Sequence, residues 1–240
     1  MVFTSNNAAP EMVAPSLNLF YWPTPNGRKV TILLEELGLA YEVTFINIRR
    51  NEQFEPSFLA HSPNNRIPAL VDSRGDLVDN PVSIFESGAI LQYLARVSGR
   101  FYGTDERERV VVDQWLFWQV AGLGPMAGQA NHFRSIAERH EPYAIERFTA
   151  EVFRLYSVLE RRLGESEYVA GNYSIADMAC FPWVIQHRNA GIDLVTFPNV
   201  AAWVSKIAHR PAVGRAMVVG KEERKRQKRE FKGEAGAAPG

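Results

Sequence analysis

The sequence predicts an α/β layer of order βαβ-ββα over residues 17–100, followed by an all-helical domain over 105–220. A flexible leader at 1–16 and a flexible basic tail at 221–240 flank them. Three observations lead to this reading. Short apolar runs of strand type alternate with helix-period segments as far as Gly99, and beyond Thr104 the strand patterns stop. The first half runs strand-helix-strand and then strand-strand-helix, and a helix between two strands makes a parallel pair by right-handed crossover. A chain of 240 residues, 46% of them hydrophobic, is long enough for two domains that each bury a core.

Residues 1–16 contain Asn6, Asn7, Pro10 and Pro15 and no sustained period, which is the pattern of a loose leader. Residues 17–22 form an apolar first strand. Thr24-Pro25-Asn26-Gly27 joins it to a helix, because Val30, Leu33, Leu34 and Leu37 recur at helical spacing and Gly38 stands where such a helix ends. Residues 41–46 alternate as a second strand. A short helical piece at 53–60 leads into Ser62-Pro63-Asn64-Asn65-Arg66-Ile67-Pro68, and Ala69-Leu70-Val71-Asp72 makes a third strand. Arg74-Gly75 signals a turn, after which Leu77, Val78, Val82, Ser83 and Ile84 supply an adjacent antiparallel strand. Glu86-Ser87 then opens a helix, completing a thioredoxin-like α/β domain. In the second half, residues 105–131 read as one long helix that Gly122, Gly124 and Pro125 bend or break around Gly124. Residues 143–163 form another. Ser174-Ile175-Ala176-Asp177 reads as a capping box, with Tyr173 as its hydrophobic staple, and helices near 199–209 and 211–219 complete the set.

Lys plus Arg balances Asp plus Glu at 27 each, which gives no reason to expect nucleic acid or a membrane as partner. The balance is uneven along the chain: from Lys221 to Lys232 seven basic residues meet three acidic ones, a local excess of four positive charges that leaves the rest of the chain net negative by four. Without an aromatic platform that run reads as a solvated tail rather than an RNA-binding arm. Cys180 is the only cysteine, which excludes an intrachain disulfide, a Cys-x-x-Cys pair and a thiolate zinc site. A reducing compartment is the natural home of such a chain. With no apolar core of signal-peptide length near the start and no later run long enough to span a bilayer, the expected location is the cytoplasm. His132 and His140 are too far apart to share a helix face, so no metal is expected. Trp115, Phe117 and Trp118 suit helix core and the lining of an acceptor pocket.

In a βαβ-ββα layer three turns converge at one edge of the sheet. At Thr24 to Gly27 a helix N-terminus presents free N–H groups and a partial positive charge, which favour a thiolate or phosphate. Taken alone, Thr24 or Asn26 reads as a helix cap. At Arg66-Ile67-Pro68 a proline opening a strand suits a cis peptide that leaves the Ile67 backbone free to pair with an extended ligand. At Glu86-Ser87 the hydroxyl and the helix N–H groups suit a carboxylate, and Glu86 an ammonium. Together the three turns suit a small zwitterionic peptide.

From residue 17 to about 220 the chain resembles a cytosolic glutathione transferase, on the Ile67-Pro68 and Glu86-Ser87 pairs and the Ser174 to Asp177 capping box. Thr24-Pro25-Asn26-Gly27, Ser62 through Ala69, and Gln114-Trp115-Leu116-Phe117-Trp118-Gln119 followed by Gly122-Leu123-Gly124-Pro125-Met126 narrow it. They are similar to motifs of the bacterial nu class, of disulfide-bond reductase type, and of its fungal nitrogen-regulator relatives. The resemblance implies that Ile67 pairs through its backbone with the cysteinyl part of glutathione and that Glu86 and Ser87 hold the γ-glutamyl end. It implies further that Thr24 and Asn26 face the sulfur, that Gln53 and Arg66 lie near the glycyl end, and that Arg147 reaches in from the helical domain. Arg66 stands where some members carry lysine, and a guanidinium contacts a carboxylate differently.

The tyrosine or serine activator of other transferase classes is missing from the first turn, and Cys180 reads as a buried small apolar residue. The resemblance thus implies a homodimeric enzyme that takes glutathione, reduced or oxidised, as substrate and reduces a small disulfide without a protein cysteine. Transfer to electrophiles and peroxidase activity come second. The alternative is a glutathione-binding regulatory or ligand-carrying protein with little catalysis, although the fungal regulator's long Asn/Gln-rich extension is not seen in this chain. An RNA-associated role through the basic run is a third. Sequence leaves open the acceptor and which of Thr24 and Asn26 touches the sulfur.

Overall fold

A computed structural model describes residues 16–74 and 81–236 of the chain. The leader expected at 1–16 therefore lies outside the described residues apart from Ser16, as do Gly75, Leu77 and Val78 of the expected turn and strand. Four strands, β1 (Leu17–Tyr21), β2 (Glu42–Phe45), β3 (Ala69–Asp72) and β4 (Val82–Phe85), form one sheet in the order β2-β1-β3-β4. Helix α1 (Pro25–Leu37) carries the chain from β1 to β2, and those two strands are parallel with Leu19 opposite Val43. The remaining pairs are antiparallel, Leu19 facing Leu70 and Leu70 facing Ile84. A 3-10 turn at Glu52–Phe54 and the single-turn helix α2 (Pro56–Leu59) precede β3, and α3 (Ser87–Ser98) follows β4.

The strand period of two sorts side chains between two clusters. Leu17, Leu19 and Tyr21 join the main core with Val30, Leu33 and Leu34 of α1 and Ile90, Leu91 and Leu94 of α3. Phe20 and Trp22 point the other way, onto Phe58, Ile67 and Ala69.

The second half contains α4 (Glu106–Trp118), α5 (Gly124–Ser135), α6 (Pro142–Glu165), α7 (Ile175–Val184), α8 (Pro198–Ala208) and α9 (Pro211–Val218). The expected break in the helix at 105–131 falls at Gly124, and its agent is a π-helical turn over Gln119–Leu123. Along α7 the residues from Ile175 to Pro182 are all buried, so it forms the centre of the helical half. Ser174 and Asp177 make the reciprocal capping box that the spacing predicts.

Residues 221–236, read from sequence as flexible tail, form the helix α10 (Lys221–Gly236). Acids stand three places before bases in the run: Lys225 pairs with Glu222 at 2.7 Å and Arg226 with Glu223 at 2.6 Å. Gln227 also accepts a hydrogen bond from Asn47, which ties α10 to the connection after β2. No helix among the described residues is long and apolar enough to cross a membrane.

Candidate functional site

Three turns meet in a cleft of about 220 Å³ lined by Asn26, Ser62, Arg66, Ile67, Pro68, Glu86 and Ser87. At the first turn Thr24 is the N-cap of α1, and its hydroxyl oxygen accepts the Gly27 N–H at 3.3 Å. The Arg28 N–H bonds the Thr24 carbonyl at 3.0 Å, and Pro25 has no N–H to offer. The Asn26 N–H is left without a partner among the described residues, at the positive end of the helix. Gly27 permits this tight path, since a Cβ there would lie 2.5 Å from the Trp22 carbonyl oxygen. The Asn26 side chain is oriented from the helical half: Trp183 on α7 donates its indole N–H to Asn26 Oδ1 at 3.0 Å.

The second turn is tied by Ser62, whose hydroxyl donates to the Arg66 carbonyl at 2.8 Å and accepts the Arg66 N–H at 3.4 Å. Ile67-Pro68 is cis, as its position before β3 predicts. Neither the N–H nor the C=O of Ile67 has a partner among the described residues, although the side chain is buried, so its backbone can pair with an extended chain laid across the cleft.

At the third turn Glu86 has φ 70° and ψ 117°, a left-handed value rare outside glycine, and accepts an Asn64 amide bond at 3.5 Å. The kink delivers Ser87 to the first position of α3, where free N–H groups and the Ser87 hydroxyl face the cleft while the Glu86 carboxylate stays exposed. Behind Ser87 lies Lys29 of α1, 2% exposed, with Nζ 3.3 Å from Ser87 Oγ and 2.5 Å from Gln119 Oε1. Burial lowers the Lys29 pKa to about 7, opposed by the nearby Glu86 carboxylate. Cys180, fully buried, has its thiol pushed up by desolvation, so it is neutral at pH 7 and lends Lys29 no counter-charge.

Of the residues singled out from sequence, the structure brings Asn26, Arg66, Ile67, Glu86 and Ser87 into the cleft. Thr24 supports the same turn from behind as a cap. Gln53 is buried within the 3-10 turn, its Oε1 without a partner among the described residues, and Arg147 is exposed on α6; neither lines this cleft. Trp115 and Trp118 stack edge to face at 5.3 Å against the core, and Phe117 is exposed. Lys29 and Trp183 escape a reading of the sequence, and Ser62 and Gln119 enter it only as members of motifs, without a role of their own. Only Ser62 carries a local signal, lying in the same Pro/Asn-rich turn as Arg66.

Comparison with known proteins agrees with this geometry. The model of the glutathione S-transferase N-terminal domain matches residues 15–96, and that of the C-terminal domain matches residues 120–211. The chain is 49% identical over 203 residues to the disulfide-bond oxidoreductase YfcG of Escherichia coli, covering 84% of this chain and 94% of that one. A glutathione transferase from Pseudomonas putida, solved with one glutathione disulfide per subunit, is 41% identical with a TM-score of 0.81 over 87% of this chain and 93% of that one. A family member from Pseudomonas fluorescens, solved with two glutathione bound, is 40% identical with a TM-score of 0.81 over 87% and 95%. With both domain models matched in order and the relatives covered almost end to end, the chain belongs to the glutathione S-transferase family.

Proposed function

We propose that this protein is a glutathione:disulfide oxidoreductase that uses the thiolate of bound glutathione in place of a protein cysteine. The observation that carries this reading is the position of the only thiol: Cys180 is buried in α7, while the cleft presents the unpaired Asn26 N–H, the Ile67 backbone and the Ser87 helix terminus. Glutathione fits these groups with its cysteinyl amide on Ile67, its γ-glutamyl carboxylate on Ser87 and its ammonium on Glu86. Arg66 serves the glycyl carboxylate; Gln53, buried and outside the cleft lining, is given no direct contact with it, and Arg147 serves a second glutathione or the acceptor. We assign the sulfur contact to Asn26 and the support of the turn to Thr24.

Hydrogen bonds to the charged form lower the pKa of the bound thiol. The thiolate attacks one sulfur of a small disulfide, the S–S bond breaks, and the departing thiolate takes a proton from water. A second glutathione thiolate then attacks the mixed disulfide, releasing the other thiol and leaving glutathione disulfide. Two electrons pass from two glutathiones to the acceptor. Glutathione transfer to electrophiles is the secondary activity. The unit is a homodimer in the cytoplasm, where reduced glutathione keeps the cycle supplied.

Steady-state reduction of 2-hydroxyethyl disulfide tests this. The wild type turns over with glutathione, and Asn26→Ala lowers kcat/KM about 10- to 100-fold. Thr24→Ala acts chiefly on stability, by about 1 kcal/mol, the usual cost of a lost cap. Calorimetric glutathione binding without turnover of disulfide, peroxide or chlorodinitrobenzene substrates would instead favour a regulatory protein.

A further inference from the structure

An asparagine amide has a donating and an accepting end, and which end faces a ligand decides whether it can stabilise a thiolate. In this protein the choice is made by a residue of the other half of the chain. The Trp183 indole N–H is a donor with no accepting capacity, and it lies 3.0 Å from Asn26 Oδ1. Turning the amide over would set two N–H groups against each other, so Asn26 keeps Oδ1 on Trp183 and has Nδ2 free to donate elsewhere.

The indole is itself seated. Trp183 follows Pro182 in the buried helix α7, and its ring lies against α5 where two glycines carry no side chain. A Cβ at Gly124 would stand 3.4 Å from Trp183 Cε2 and one at Gly128 3.5 Å from Cη2. The shared turn between α4 and α5 closes the seat, since a Cβ at Gly124 would also meet Gln119 Nε2 at 2.7 Å.

We propose that Trp183 is a positioning residue for the proposed thiol chemistry, holding the Asn26 amide with its N–H donors toward the glutathione sulfur. The inference rests on the assignment of Asn26 to the sulfur contact, made under the proposed function. Trp183 is not among the residues that line the cleft; it acts by fixing the orientation of Asn26, which is. The domains are thereby coupled in chemistry as well as packing, because the activating donor sits on the α/β half and its orientation is set from the helical half.

The test is titration of the ultraviolet thiolate absorbance of bound glutathione in wild type, Trp183→Phe, Asn26→Ala and the double variant. Trp183→Phe is expected to raise the thiol pKa by about one unit and lower kcat/KM at pH 7 about tenfold. Affinity for S-methylglutathione, which has no ionisable thiol, should change less than about twofold, as a merely disturbed cleft would not allow. In the Asn26→Ala background Trp183→Phe should add nothing further. Placing 3-benzothienylalanine at position 183 replaces the N–H by sulfur at nearly constant shape, and should reproduce the pKa shift even if the phenylalanine variant folds poorly. An unchanged thiol pKa in both Trp183 variants, with a raised one in Asn26→Ala, overturns the positioning role. Additive effects in the double variant overturn it too. An unchanged pKa in Asn26→Ala overturns the assignment of Asn26 itself.

Discussion

Lys29 places an ammonium where water is excluded, directly behind the serine that receives the ligand's γ-glutamyl end in the proposed complex. Its two contacts, Ser87 Oγ and Gln119 Oε1, are neutral, so burial dominates and the folded-state pKa falls from 10.5 to about 7. Between those values the unfolded chain binds more protons than the folded one, so unfolding becomes harder as pH rises. The cost of burying the charge is full below pH 7 and disappears toward 10.5. Urea unfolding of wild type and Lys29→Met should therefore diverge in the wild type's favour from pH 7 to 10, with a slope of at most about 1.4 kcal/mol per pH unit. A difference that stays flat across that range contradicts a depressed Lys29. Asn26, Ile67, Glu86 and Ser87 are legible from sequence because each sits at a turn punctuated by Pro, Gly or a helix start. Lys29 is not, since its partner Gln119 lies 90 residues away, and Trp183 lies 157 residues from Asn26. Such pairs have no local signature, because a lysine inside a helical repeat reads as solvated until packing buries it.

Helix boundaries are readable wherever the chain supplies its own caps. Thr24 and Gly38 close α1 at both ends, and Ser174 opens α7. Asp177 accepts from Val169 N at 2.9 Å, Ser174 N at 3.0 Å and Trp203 Nε1 at 2.9 Å, which joins the start of α7 to the preceding loop and to α8. Desolvation nonetheless raises its pKa to about 6. Asp177→Ala removes the acceptor of these three N–H groups and of the Ser174 hydroxyl in a fully buried site, and should cost about 3 kcal/mol or more in equilibrium unfolding. A loss no larger than that of a surface cap would show that water replaces the carboxylate. The α4–α5 junction is legible as a break at Gly124, but the π-helical turn is not, because an inserted residue leaves the apolar period almost intact over one turn. Helix α10 is hidden differently. Net charge over Lys221 to Lys232 points to a solvated tail, whereas the spacing of Glu222 and Glu223 before Lys225 and Arg226 favours a helix.

At the scale of the whole molecule the two halves meet along α1. One end of that helix begins in the cleft, Lys29 reaches Gln119 at the α4–α5 junction, and Glu36 and Glu35 pair with Arg210 and Arg215 at 2.6 and 2.7 Å. Tyr21 extends the seam, its hydroxyl donating to the Val219 carbonyl at 3.3 Å. This explains why the order of elements is readable while half of the site's support is not: order is a property of segments, and the seam belongs to their assembly. In the proposed complex the α/β half binds and the helical half orients, while Cys180 stays buried within α7. The central claim, that the reacting sulfur is borrowed from glutathione, is tested most directly by glutathione-dependent reduction of 2-hydroxyethyl disulfide in Cys180→Ala. Removing one buried sulfur costs about 1 kcal/mol of packing, and the account predicts kcat/KM within about twofold of wild type. A folded Cys180→Ala protein that binds glutathione normally but has lost disulfide reduction would contradict it.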